Sequence, residues 1–579
     1  MTETTTRGIA PIAALRLAGL SVRYPGQRSP SLDSVDLEVQ AGELVGVSGR
    51  TGAGKSTLAL AAGGFLPRVV RATVTGSAAV GGIDATSLDP RALLGHVGIV
   101  FATPANQLSA SKQTVREELA FGLENLGVDR ADMDGRISTV LVRLGIANLA
   151  DREPLTLSGG EQQRVAIASI VVMGTSLLVL DEPTAQLDPV GAADVGALLA
   201  ELARGGTAVL VVEHDPTILG QTSRMVLLES AKAVGSGEPG YVLGSRVAGL
   251  YGLPAPTLVR LAELAEMDPA LAFDEAAIVA NLSSHGPRLA PGAEPSLSIG
   301  AWEAARDRPV PVAQVQELAH RYPNGVEALR GVSLRFAPGE AAVILGQNGS
   351  GKTTLAKHLN GLLRPDRGDV QFDGVSTRNL RVDELSATVG FVFQNPDDQL
   401  FERTVEREVS FGPRNLGWNA ATVRQLVERA LDAVGLSAVG GTNPYDLDLS
   451  RRKLVSLASV LAMNPSILVL DEPTTGQDPV GTERVGAVVR GMRDAGRTVI
   501  AITHNMEFAA AHFDRVILMR EGIVIADGPP SELLSAPNQA LLASTGLTPP
   551  PAARIASALG LTLVPRTAAG LIEALTARR

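Results

Sequence analysis

The sequence predicts an α/β fold built twice, as two tandem copies of a unit with a mostly parallel sheet. Three observations carry this. "GRTGAGKST" (Gly49–Thr57) returns as "GQNGSGKTT" (Gly346–Thr354), each between an apolar run and a helical pattern. "LLVLDEPTAQLDP" (Leu177–Pro189) returns as "ILVLDEPTTGQDP" (Ile467–Pro479), and "VVEHD" (Val211–Asp215) as "AITHN" (Ala501–Asn505). The runs "ELVGVSG", "SLLVLDE" and "TAVLVVEH", with "AAVILGQ", "SILVLDE" and "TVIAITH", read as parallel strands buried on both faces. Repetition at such a spacing is duplication, and helical patterns between the strands give alternating α/β layers.

Composition bounds the rest. A chain of 579 residues is too long for one ordinary core. A net charge of −10 argues against nucleic acid as the main partner. Cysteine is absent and the seven histidines lack metal-ligand spacing, so no disulfide, thiolate site or zinc site is expected. "MTETTTRGIAPIAAL" lacks a long apolar stretch behind a basic one, so no signal peptide is expected. No run of about 18 apolar residues occurs, so any membrane role would be peripheral.

Along the chain, residues 12–245 form the first copy and 312–540 the second. Between them, 246–282 ("YGLPAPTLVRLAELAEMDPAL" and its flank) suggests a short helical appendage, and the Gly/Pro/Ala-rich stretch 283–311 a flexible linker. Residues 541–579, with "STGLTPPPAARIASALGLTLVP", resemble the first appendage: both place prolines before an apolar-periodic run. Packing extensions are the simplest reading of both.

Both glycine segments fit the phosphate-loop pattern G-x-x-x-x-G-K-[ST], in the strand-to-helix context that makes it specific. Gly49, Gly52, Gly54, Gly346, Gly349 and Gly351 let backbone N–H groups turn around a phosphate, and the helix start adds its dipole. Lys55 and Lys352 would reach the β- and γ-phosphates. Ser56 and Thr353 would offer a hydroxyl to Mg²⁺, with Thr57 and Thr354 following. Asp181 and Asp471 end apolar strands, where a carboxylate is costly unless it serves a cation. Glu182 and Glu472 follow and would polarise the attacking water; a loop carboxylate is the plainer alternative. His214 and His504 each close a third strand, as γ-phosphate contacts or as ordinary strand-end polar residues. Tyr24 and Tyr322 precede the phosphate loops, to stack on adenine or to fill the core.

Phosphate loop, "LSGGEQQR" (Leu157–Arg164), "LVLDEPT", a following aspartate and a strand-end histidine, in that order, resemble the ATP-binding cassette (ABC) ATPases over both halves. The resemblance implies ATP and Mg²⁺ as ligands, and an antiparallel and a helical subdomain beside each parallel sheet. It also implies two cassettes pairing head to tail, so that each ATP meets the phosphate loop of one and the signature of the other; pairing within this one chain is the simpler arrangement, and pairing between two chains stays open. "FVFQNPDDQLF" (Phe391–Phe401) resembles more closely the cassettes of energy-coupling factor (ECF) importers of vitamins, vitamin precursors or transition-metal ions. That implies a transmembrane coupling protein and a substrate-capturing membrane protein as partners, no nucleic acid, and a peripheral place on the cytoplasmic face of the membrane. Asp397 and Asp398 are candidates to meet basic residues of the coupling protein.

The copies are unequal. One composite site would use Lys352, Thr353, Gln394, Asp471, Glu472 and His504 with Ser158, Gly159 and Gly160, all fitting the family pattern; Gln394 would help hold Mg²⁺ or water. The other would use Lys55, Ser56, Asp181, Glu182 and His214, but Ala102 replaces the glutamine and the facing signature is "LSRRK". There Ser450 aligns with Ser158, Arg451 and Arg452 fall in the glycine-pair region, and the segment reads as two residues shorter. The arginines either donate to nucleotide or point to solvent. This second site is expected to bind ATP and hydrolyse it slowly. Two further readings stay open: the ATPase of a conventional ABC importer, and a soluble twin-cassette protein acting on ribosomes or DNA.

Overall fold

A computed structural model of the chain describes residues 12–86, 90–104, 107–157, 159–185, 187–285, 311–535, 538–561 and 567–576. They form two compact units: Met1–Leu187 with Gly191–Tyr251, and Gly252–Arg579 with Asp188–Val190.

In the first unit the strands are β1 (Leu15–Arg23), β2 (Leu32–Val39), β3 (Leu44–Gly49), β4 (Thr73–Val80), β5 (Ile83–Asp84), β6 (Val97–Val100), β7 (Leu177–Asp181), β8 (Ala208–Val212), β9 (Arg224–Glu229) and β10 (Lys232–Gly237). They make an antiparallel sheet, β2-β1-β4-β5, and a six-stranded sheet, β10-β9-β3-β8-β7-β6. In the larger sheet every neighbouring pair is parallel except β9 with β10. β8, and β7 as far as Leu180, are apolar throughout because both faces are covered. Leu177 and Val179 join the core shared with the antiparallel sheet and the helix Lys55–Ala62. Leu178 and Leu180 face the opposite core, with Leu119, Val165 and Leu199 from the helices.

The second unit repeats the plan with β11 (Ala313–Arg321), β12 (Glu327–Phe336), β13 (Ala341–Leu345), β14 (Arg367–Phe372), β15 (Val375–Ser376), β16 (Val389–Val392), β17 (Ile467–Asp471), β18 (Thr498–Ile502), β19 (Arg515–Arg520) and β20 (Ile523–Gly528). Its sheets run β12-β11-β14-β15 and β16-β17-β18-β13-β19-β20, the same order in mirror notation. Each unit also carries three packed helices: Val115–Asn125, Arg130–Arg143 and Gly159–Val171, then Val405–Asn415, Ala420–Ala433 and Leu449–Leu461. The first starts on a capping box: Thr114 accepts from Glu117 N, and Glu117 accepts from Thr114 N. Among the described residues no helix is long and apolar enough to cross a membrane.

Helix register corrects one expectation. The signature-bearing helices Gly159–Val171 and Leu449–Leu461 have the same length and the same offset at both ends, as do the short turns Pro154–Thr156 and Pro444–Asp446 before them. The second signature segment is therefore not shortened. Asp448 stands where the first copy has Ser158, Leu449 stands at Gly159, and Ser450 at Gly160, not at Ser158. The two missing residues belong to the loop after β6 and β16. There Ser109–Gln113 separate Leu108 from Thr114, while only Phe401–Arg403 separate Leu400 from Thr404. Both loops close on a buried glutamate: Glu118 accepts from Ser109 N at 2.8 Å, and Glu408 from Phe401 N at 2.9 Å.

The stretches read as appendages contain the helices Thr257–Leu264 and Glu275–His285, then Pro551–Ala558 and Ala568–Thr576. All four lie in the second unit and pack on one another. Val259, Leu261, Ile278, Ile555 and Leu571 are buried, and Arg554 Nε donates to Glu275 Oε2 at 3.0 Å. Residues 286–310 of the expected linker lie outside the described residues. Leu571→Ala should cost this cluster about 2–5 kcal/mol. By hydrogen exchange, the amides of Thr257–Leu264 and Pro551–Ala558 should then exchange faster while β13, β17 and β18 keep their protection. Unchanged exchange in the two helices would show that they do not depend on it.

Candidate active sites

β3 and β13 each run out into the glycine loop, and the next helix begins at Lys55 or Lys352. Gly54 (φ 104°) and Gly351 (φ 100°) hold the N-cap positions in the left-handed region, with no side-chain cap. A Cβ on Gly54 would lie 2.3 Å from Ser31 O, and one on Gly351 2.4 Å from Ala328 O. The helix starts therefore carry no side-chain cap and lie in a cradle that a side chain on either glycine would displace, which fits a phosphate. Gly49, Gly52, Gly346 and Gly349 lie in the same loops, also at positive φ. Lys55 Nζ donates to Gly49 O (2.9 Å) and Arg50 O (3.2 Å); Lys352 Nζ donates to Gly346 O (2.7 Å) and Gln347 O (2.8 Å). Burial holds Lys352 below the usual lysine value, against the pull of Glu472 and Asp471.

The strand-end carboxylates stand opposite. Thr353 Oγ1 donates to Asp471 Oδ1 at 3.4 Å, and Ser56 bonds Asp181. Burial, then the adjacent Glu472, pushes Asp471 up to about 6; burial and Glu182 do the same to Asp181. Asp181 Oδ1 is buried without a hydrogen-bond partner. A carboxylate this poorly compensated fits a cation. Glu182 and Glu472 have φ of 50° and 48°, strained for a non-glycine residue. Their backbones are fixed by N–H bonds to Val212 O and Ile502 O, both 2.9 Å.

Each glutamate meets its strand-end histidine. His504 Nδ1 lies 3.0 Å from Glu472 Oε2, and His214 Nε2 lies 3.5 Å from Glu182 Oε1. Burial opposes ionisation of Glu472, but His504, then Lys352 and Lys453, hold it below the usual value. Burial would lower His504, yet Glu472 raises it. Lys453, buried in the signature helix, has Nζ 3.4 Å from Glu472 O; burial brings it down to about 8, against Glu472 and Asp471.

Sequence reading passed over Glu213. It is fully buried beneath His214 and accepts from Thr184 Oγ1, from Thr184 N (3.0 Å), His214 N (2.8 Å) and Asp215 N (3.2 Å). The second copy has Thr503 there, 3.3 Å from Thr474 Oγ1. The signal was a glutamate closing the otherwise apolar "LVVEH".

Tyr24 OH donates to Thr57 Oγ1 (3.3 Å), and Tyr322 OH bonds Thr354 Oγ1 (3.1 Å). Both rings are half-buried and attached to the phosphate-loop helix. Gln394 is exposed just past β16, and Ala102 occupies the matching place past β6. Gly159 and Gly160 open their helix half-buried, while Ser158 lies outside the described residues. In the second copy Asp448 caps the helix, its Oδ1 accepting from Arg451 N at 2.9 Å. Arg452 is bonded within its own copy. Its Nη1 donates to Asp397 Oδ1 at 2.6 Å and its guanidinium lies over Tyr445, so Asp397 is already engaged within its own copy. Ser450 is buried against Gln477.

A family model described as ABC transporter matches residues 32–185 and 329–475. A relative from Methanosarcina acetivorans is 35% identical over 94% of this chain and 90% of its own, and one from Caldanaerobacter subterraneus is 34% identical over 94% and 96%. Both are named, by inference, ABC transporter ATP-binding proteins. The chain belongs to the ABC transporter family. It is an ATP-binding protein with two ABC cassettes in tandem, and membership implies ATP hydrolysis with Mg²⁺ and membrane components as partners. A solved structure, cbiO1 from Clostridium perfringens, described as part of the ABC transporter complex cbiONQ, is 35% identical over 40% of this chain and 92% of its own, with a TM-score of 0.37.

Glu213 gives this ABC ATPase a pH signature. Burial, then Asp215, raises its carboxyl from 4.5 to about 7. Because the folded value exceeds the unfolded one, the stabilisation is complete below about pH 4.5 and lost as pH rises through 7. Glu213→Gln cannot titrate, so relative to the parent its stability should improve by up to about 3 kcal/mol between pH 5 and pH 8. Denaturant unfolding at both pH values measures this; a pH-independent difference would contradict it.

Proposed function

We propose that this chain is the ATPase pair of an ECF-type importer, turning over ATP mainly at the site built on the second phosphate loop. The observation that carries the asymmetry is the contrast between the two signature helices. One opens on Gly159 and Gly160, while the other opens on Leu449 and Ser450 behind the cap Asp448, a carboxylate already holding an N-terminal N–H. A helix start favours phosphate through free N–H groups and its positive end. An acidic cap consumes the first and repels the anion.

In this reading the cassettes pair head to tail. The active site comprises Lys352, Thr353, Gln394, Asp471, Glu472 and His504, completed by Ser158, Gly159 and Gly160. Thr353, Asp471 and Gln394 would hold Mg²⁺, which when bound neutralises phosphate charge; Ser56 and Asp181 would hold it in the other site. Tyr24 and Tyr322 stand beside the nucleotide. Lys352 binds the β- and γ-phosphates. Glu472 takes a proton from water as its oxygen bonds the γ-phosphorus and the bond to ADP breaks. His504 orients Glu472 and meets the γ-phosphate. In the slower site Lys55, Glu182 and His214 remain, but Ala102 supplies no amide and Asp448 opposes the phosphate.

The ECF assignment rests on "FVFQNPDDQLF". With Asp397 engaged by Arg452, Asp398 and the exposed edge-to-face pair Phe401 and Phe411 are the groups left to receive a coupling protein. Recovered from detergent-solubilised membranes, the chain should bring small integral membrane proteins and not ribosomes. In that complex Glu472→Gln should lower ATP turnover on the order of 100-fold, and Glu182→Gln by less than about threefold. Equal losses would remove the asymmetry, and ribosomes in place of membrane proteins would remove the transport reading.

A further inference from the structure

The start of the helix Leu449–Leu461 is tied to three segments of its own unit. Ser450 Oγ donates to Gln477 Oε1 (2.6 Å), and Gln477 Nε2 donates back to Ser450 O (3.1 Å). Arg452 pairs with Asp397, past Gln394. Lys453 turns inward with its Nζ 3.4 Å from Glu472 O, and makes no ion pair among the described residues. Among the described residues the first copy shows none of these ties. A Cβ on Gly160 would lie 3.2 Å from Leu187 Cδ2, where the second copy sets Ser450 against Gln477. Gln162 donates to Pro154 O and Leu155 O, and Gln163 Nε2, at the place of Lys453, is buried without a partner among the described residues. Random loss of a glycine pair would not supply mutually satisfied partners. The segment is rebuilt.

A buried ammonium is costly unless its charge is used, and the group it meets is the carbonyl of Glu472, a residue at φ 48° that its surroundings must hold in place. We propose that Lys453 is a positioning residue for Glu472, holding that carbonyl, and through it the carboxylate beside His504, in the orientation that meets the attacking water. The other charged groups facing this pair are Asp471 and Lys352. Arg452 and its bond to Asp397 fix the outer end of the same helix. The proposal rests on Glu472 being the water-polarising group, so Glu472→Gln is its control.

The test measures kcat, the KM for ATP and the melting midpoint of the full chain with ATP and Mg²⁺, for Lys453→Gln (the first copy's residue) and Lys453→Arg. Lys453→Gln should lower kcat about 10-fold with KM within about twofold and the midpoint unchanged or raised. Lys453→Arg should recover a substantial part of kcat. If Glu472→Gln abolishes turnover while Lys453→Gln keeps kcat within about twofold, the inference fails and the reading of Glu472 stands. A kcat loss that follows a lowered midpoint, without rescue by arginine, assigns Lys453 to packing and also overturns the inference. If Glu472→Gln itself retains turnover, the reading of the site is what fails.

Discussion

Two adjacent carboxylates at the end of a fully buried strand are the constraint on which the rest of each cassette depends. Asp471 and Asp181 sit where burial and the adjacent Glu472 or Glu182 both oppose ionisation. They are tolerable because the chain places a histidine against the glutamate, a hydroxyl against the aspartate and a buried lysine on the neighbouring loop. Those partners come from β3 and β13, β7 and β17, and β8 and β18, so the parallel order of the sheet serves the chemistry directly. The opposing demand is a helix start with no side chain over it, which Gly54 and Gly351 provide. Anion cradle and cation ligands then face each other.

Much of this was legible in the residues. Runs such as "LLVLD" and "AVLVV" have no polar face, so they read as strands covered on both sides, and the glycine loops announce their chemistry by spacing. The antiparallel sheets followed only from family resemblance, since β1 and β11 alternate too irregularly, with register shifts against their partners. Register across the signature was misread because "LS" recurs two residues out of phase. Helix ends, which a string comparison does not contain, put Asp448 opposite Ser158. Glu213 escaped because a strand-end glutamate looks like the start of a loop, and only the surrounding donors show that it is buried.

The corrected register changes what the second signature means. With two residues missing, it would be a loop too short to close. At full length, it is a helix whose anion-binding end has been capped by Asp448 and whose following residues have found partners in Gln477, Asp397 and Glu472. On the proposed reading, weaker phosphate binding and internal bracing are then two results of one set of substitutions, both within the cassette that carries Asp471, Glu472 and His504.

The unequal division of ATP turnover is tested most directly by the nucleotide the protein retains. After turnover on labelled ATP with Mg²⁺, rapid isolation of the full chain and acid release of its ligands would give the ratio of ATP to ADP. ATP should persist through many turnovers at close to one per chain, with the second position empty or holding ADP. Retention of ADP alone, or of no ATP beyond a single turnover, would contradict that division.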